Sequence, residues 1–85
     1  MPEIESPILV YGTNWCPDCI RVRKYFDSQN VNYLWFNIND DPTARSFVEK
    51  TNSGFHSVPT IVWPDGSILV EPNIRQLRNK LESST

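Results

Sequence analysis

"TNWCPDC", residues 13–19, holds both cysteines of the chain, Cys16 and Cys19, with a proline and an acid between them. A pair this close is a structural staple, part of a metal site, or a working redox couple. The staple is the weakest reading, because so short a loop removes little entropy from the unfolded chain. A structural zinc site wants four ligands drawn from Cys and His. Two Cys and the single His56 cannot complete one, so no metal ligands are assigned. Redox chemistry is the better reading. An iron–sulfur cluster shared between two chains, each giving two thiolates, is the non-enzymatic alternative.

The flanking residues give the pair its setting. "ILVYG", Ile8–Gly12, is a short apolar run closed by glycine and reads as a buried strand. Pro17 suits the first position of a helix and Asp18 its positive end, while Cys19, Val22 and Phe26 recur at i, i+3 and i+7. A helix over 17 to about 29 follows, with Cys16 at its start and Cys19 one turn in. First-turn N–H groups and the helix dipole favour negative charge at the Cys16 sulfur, so Cys16 is the expected nucleophile. Cys19 lies on the same side, within disulfide reach, and is expected to be less exposed and to resolve a mixed disulfide formed at Cys16. Pro17 offers no N–H but fixes the backbone entering the helix. The carboxylate of Asp18 opposes a thiolate at Cys16 and would make the couple more reducing. Equally, it is an ordinary first-turn acid with no redox role.

Further along, "NYLWFNI" (32–38) reads as a second strand. "DDP" opens a second helix with Asp41 as N-cap and Pro42 at N1; it turns Ala44, Phe47 and Val48 inward and stops near Gly54. "TIVW" and "SILV" flank "PDG", a hairpin with a type I or II turn. A last helix from about residue 73 sets Ile74, Leu77 and Leu81 on one face. The order β-α-β-α-β-β-α implies a parallel first pair, an antiparallel hairpin, and a mixed four-stranded α/β sheet flanked by three helices.

Residues 1–85 are expected to form one domain, burying roughly 60–65% of the surface of the unfolded chain. Eight basic and ten acidic residues are interspersed, net charge −2, so nucleic acid and anionic membrane are not expected partners. "MPEIESPILVYG" has acids where a secretory leader needs bases, and an apolar run of four, so neither a leader nor a membrane span is expected. The expected location is cytoplasmic, where stable disulfides are rare and a close cysteine pair is more often catalytic or metal-binding.

With "WCPDC" after a strand and "SVPT" (57–60) before the hairpin, residues 8 to 82 resemble the thioredoxin superfamily. In length and bare four-strand layout the chain is similar to its glutaredoxin branch. The resemblance implies a dithiol thiol–disulfide oxidoreductase that reduces mixed disulfides of target proteins. Its electrons would come from a low-molecular-weight thiol, with no tightly bound cofactor, and a monomer is expected. It further implies a cis Val58–Pro59 bond against the cysteines, with the Val58 backbone pairing with substrate. Thr13, Trp15, Pro17, Val58 and Pro59 form the implied substrate surface.

Glutathione-using members usually carry lysine where this chain has Thr13, and Gly-Gly with Asp where it has "LVEPNI" (69–74). Glu71 would repel a carboxylate brought there. "YGTNWC", "NSGFHSVPT", "DGSIL" and Pro72 are closer to mycoredoxins, which work with mycothiol, although those usually have Gly-Tyr where this chain has Pro17 and Asp18. Mycothiol or glutathione is therefore the expected co-substrate. A thioredoxin-like electron donor fed directly by a flavoprotein reductase, for example serving ribonucleotide reductase, is the alternative.

Some side chains carry two readings. Trp15 is a lip over the site or packs on the first helix. His56 lies near the rim, where protonation would favour an anion, or is simply solvated. Arg21, Arg23 and Lys24 form the wet face of a helix, with Arg21 nearest the cysteines and able to steer an anionic substrate. Leu34 and Trp35 must point to opposite sheet faces, leaving one exposed on an edge strand as a docking surface or partly covered by a helix.

Overall fold

The central strand, β1 (Ile8–Gly12), alternates its side chains between two apolar layers, and the other elements assemble around that alternation. The computed structural model describes residues 7–83. The acidic N-terminal stretch read above therefore lies largely outside the described residues. After β1 come α1 (Pro17–Ser28), β2 (Tyr33–Asn37), α2 (Pro42–Thr51), β3 (Thr60–Val62), β4 (Ile68–Val70) and α3 (Ile74–Ser83). The sheet order is β2-β1-β3-β4, with β1 parallel to β2 and antiparallel to β3, and β3 antiparallel to β4.

Ile8 and Val10 meet Val22 and Phe26 of α1 and Leu77 of α3, together with Ile61 and Trp63. Phe26 is the hub of this layer, edge-on to Trp63 at 6.0 Å and tilted against Tyr33 at 5.5 Å. On the other face Tyr11 lies with Ala44 and Val48 of α2 and with Ile38. The Tyr11 ring sits between Phe36, 4.9 Å away, and Phe47, 4.8 Å away.

Element boundaries differ from the expected ones by a few residues, for identifiable reasons. α1 ends at Ser28 because Asn30 turns left-handed (φ 56°), letting Val31 N–H reach the Phe26 carbonyl at 2.9 Å. α2 ends at Thr51 by the same device: Ser53 takes the left-handed position (φ 56°) and Gly54 N–H donates to the Glu49 carbonyl. In the hairpin the left-handed residue is Gly66 (φ 89°) rather than Asp65, so the turn is not type II. Trp63 and Ser67 close that turn through Trp63 N–H to Ser67 O (2.9 Å) instead of lengthening the strands. α3 opens with a reciprocal cap, in which Asn73 Oδ1 accepts from Gln76 N–H and Gln76 Oε1 from Asn73 N–H, both at 2.8 Å.

Candidate active site

β1 delivers the chain at Gly12 into a four-residue loop whose last residue, Cys16, is extended (φ −78°, ψ 118°) and caps α1. Its Sγ accepts the Cys19 N–H at 3.3 Å, and Pro17 at N1 has no N–H to leave unsatisfied. One helical turn separates two different environments. Cys16 is half-buried, whereas Cys19 is 0% exposed, and both are free thiols. Burial pushes the Cys19 thiol up to about 12, helped by its hydrogen bond with Cys16 and by the charges of Cys16 and Asp18. The Thr13 backbone opposes that rise by hydrogen-bonding to the sulfur.

Across from α1, the Val58 carbonyl accepts from the Cys16 thiol at 3.8 Å, and the Val58–Pro59 peptide bond is cis, as the resemblance implies. Three elements hold this loop. Buried Thr60, opening β3, donates its hydroxyl to Ser57 O at 2.7 Å and accepts from Asn52 Nδ2 at 3.2 Å. Asn52, the C-cap of α2, also donates to Val48 O. From the β4–α3 junction, Glu71 N–H donates to Pro59 O at 2.8 Å, with Glu71 itself left-handed (φ 51°).

The remaining residues singled out from the sequence fall as follows. Thr13, expected on the substrate surface, is buried with 8% exposure because it directly follows the buried end of β1, whereas Pro17 is exposed beside Cys16. Trp15, immediately before Cys16, is 67% exposed. Asp18 forms an exposed ion pair with Arg21 one helical turn on, so each charge is partly met by the other. His56 Nε2 contacts Glu49 Oε2, which sets a carboxylate against any positive charge on the ring. Leu34 is the exposed member of its pair (49%), while Trp35 is half-buried. Among the described residues no group of three or more His, Cys, Asp or Glu side chains could hold a metal ion.

Two residues at the site carry roles that hydrophobic spacing does not reveal. Gly12 does more than close a strand. A Cβ there would lie 2.5 Å from Cys19 Sγ and 2.8 Å from Trp35 Cη2, so the glycine is what admits both. Half-buried Trp35 brings its ring to the same Gly12 Cβ position as Cys19 Sγ and carries the Arg23 guanidinium 4.1 Å from its centroid. Phe55 stands 69% exposed in the loop before Val58.

A dithiol at the N-terminus of the first helix, facing a cis-proline loop on a β2-β1-β3-β4 sheet, defines the class as a thioredoxin-fold redox protein. Residues 8–68 match the family model described as Glutaredoxin. Mycoredoxin 1 of Corynebacterium glutamicum is 30% identical over 92% of this chain and 96% of its own. A Mycobacterium tuberculosis protein carrying a glutaredoxin designation is 31% identical over 92% and 93%. Among solved structures, a mutant of the thioredoxin-like protein BC3987 superposes with a TM-score of 0.76 at 31% identity, over 87% of this chain and 97% of that one. A glutaredoxin from Archaeoglobus fulgidus gives 0.70 at 26% identity, over 87% and 84%. The chain belongs to the glutaredoxin family and is a thiol–disulfide oxidoreductase.

Proposed function

We propose that this single domain, a monomer working in the cytoplasm, reduces mixed disulfides of target proteins with a low-molecular-weight thiol as its electron source. The Cys16 thiolate attacks the mixed disulfide, a Cys16–S–S–R bond forms, and the former partner sulfur leaves with the bonding pair and takes up a proton. Either Cys19 or a second small thiol then attacks Cys16 Sγ and expels R as its thiol. The observation that carries this reading is the asymmetry of the pair: one sulfur at the mouth accepting a helix N–H, the other sealed one turn below. Capture also prepares the second step. Once Cys16 is bonded to R, its hydrogen bond and negative charge no longer help Cys19 keep its proton. Only burial and Asp18 then hold it.

Half-buried Val58 is the backbone surface for the bound sulfur partner, backed by fully buried Pro59, with exposed Trp15 and Pro17 around the mouth and the Thr13 side chain buried behind them. Mycothiol is the favoured co-substrate. Thr13 brings no positive charge to the site, and exposed Glu71, tied through its N–H to Pro59, sets a carboxylate beside the loop that would meet a small thiol. The likeness to mycoredoxin 1 supports the same choice. The test is Cys19→Ser exposed in parallel to mycothiol disulfide and glutathione disulfide, followed by intact mass. Faster capture of mycothiol on Cys16 is expected. Faster capture of glutathione would overturn the co-substrate, and no capture beyond that of the unfolded chain would overturn the small-thiol reading itself.

A further inference from the structure

Resting on the proposed roles of the two cysteines, a further assignment follows from what surrounds the inner one. Gly12 ends β1, and β1 is in parallel register with β2 such that Val10 pairs with Trp35 and Gly12 with Asn37. Trp35 therefore starts two residues short of Gly12, and its ring reaches along the sheet to close the gap. Its Cη2 and Cζ3 come within 2.8 and 3.1 Å of the point where a Gly12 Cβ would stand, and Cys19 Sγ lies 2.5 Å from that same point. Sulfur and indole thus share the volume of one absent methyl group. On α1, Cys19 and Arg23 are four residues apart and so on one side of the helix. Arg23 lays its guanidinium on the ring, 4.1 Å from the centroid, which pins the indole from its solvent side.

We infer that Trp35 and Gly12 are positioning residues for the second half of the exchange: they form a dry socket that holds Cys19 Sγ at Cys16 and governs how fast the Cys16–S–S–R intermediate closes. In that step Cys19 gives up its proton and its sulfur attacks Cys16 Sγ. The Cys16–Cys19 bond forms, the bond to R breaks, and R leaves with the electron pair, taking up a proton to become the free thiol. Over capture and closure together the protein dithiol gives up two electrons and the disulfide substrate takes them up as two thiols. The charged and titratable groups around Cys19 are Cys16 and Asp18 on its own helix and, across the Trp35 ring, Arg23; β1 and the loop after it contribute the Thr13 backbone. With Cys16 already consumed in the intermediate, exclusion of water by Gly12 and Trp35 is the main influence left on that proton. A closed socket therefore prolongs the intermediate and leaves it open to a second external thiol.

The experiment uses the full reduced chain and hydroxyethyl disulfide, a neutral probe, with acid quenching and intact mass to follow the Cys16 adduct as it forms and decays. In Gly12→Ala the adduct should form at the wild-type rate and decay about tenfold more slowly or worse, as expected when a reacting atom is displaced by a fraction of an ångström. Adding Trp35→Phe removes Cη2 and Cζ3 and gives Cys19 room to return, so the double variant should recover most of the decay rate, a non-additive outcome. Trp35→Phe alone admits water and should move the pH profile of decay to lower pH, a readout that general loosening would not shift. Unchanged decay in Gly12→Ala, absence of recovery in the double variant, or an unmoved pH profile in Trp35→Phe would each overturn the assignment. If Gly12→Ala does not fold, the profile of Trp35→Phe decides alone. Absence of a Cys16 adduct in Cys19→Ser, where no internal thiol can consume it, would instead sink the cysteine roles on which the inference rests.

Discussion

At Cys19 a single thiol registers its whole surroundings. Its folded value is raised above that of an unfolded cysteine, so the folded state binds the proton more tightly. The associated stability is fully present below the unfolded thiol's range and is lost as pH rises toward about 12. In Cys16→Ser, burial and Asp18 still act on the remaining thiol. Its thiolate absorbance should therefore appear at higher pH in the folded protein than in urea, and coincident curves would show that burial is not the cause. Glu71 poses a question of charge. Glu71→Gln in the Cys19→Ser background should speed capture of glutathione disulfide by about twofold to fivefold, the rate equivalent of an exposed charge interaction. The gain should shrink at high salt, because an exposed charge is screened. Equal rates at low salt would remove Glu71 from co-substrate choice. That Cys16 caps the helix was legible from Pro17 and the spacing of Cys19, Val22 and Phe26. That Arg21 answers Asp18 and Glu49 answers His56 was not, because many exposed rotamers were open to each of these side chains before the helices were built.

Between elements, the hairpin is tied to α3 by Asp65, which accepts from Lys80 Nζ at 2.7 Å and from the hydroxyl and N–H of Ser67. The Lys80 bond first, then those from Ser67, hold the Asp65 carboxyl well below the usual carboxylate range. A lowered folded value means that this tie stabilises the protein above the unfolded carboxyl's range and fades as pH falls. Asp65→Asn should therefore lower the urea midpoint at neutral pH and approach the wild type in acid. A difference that persists undiminished in acid would show that charge is not the agent. Caps with local chemistry, such as Asp41 before Pro42, could be read in advance, since Asp41 Oδ1 needs only the Ala44 N–H three residues on. The end of α1 was also legible to within a residue, whereas α2 stops short of Gly54 because Ser53 already takes a left-handed conformation ahead of that glycine.

For the molecule as a whole, Phe26 is the place where α1, β2 and the β3–β4 hairpin meet, through Tyr33 and Trp63. Phe26→Ala should cost about 3–5 kcal/mol, as large core truncations do. That is a large share of the roughly 5–15 kcal/mol a domain possesses, so a marked fall in melting temperature is expected. A fall of only a few degrees would mean that the layer repacks around the gap. By itself the sequence determined the order of elements, the two faces of the sheet and the dithiol at a helix start. Each follows from side-chain period and cap chemistry within a few residues of one another. Tertiary structure alone decided that Val58 faces Cys16 across forty-two residues, and that Trp35 and Cys19 share the space over Gly12. Those meetings depend on sheet order, strand register and the docking of α1, which arise only when the distant elements bury their apolar faces against each other.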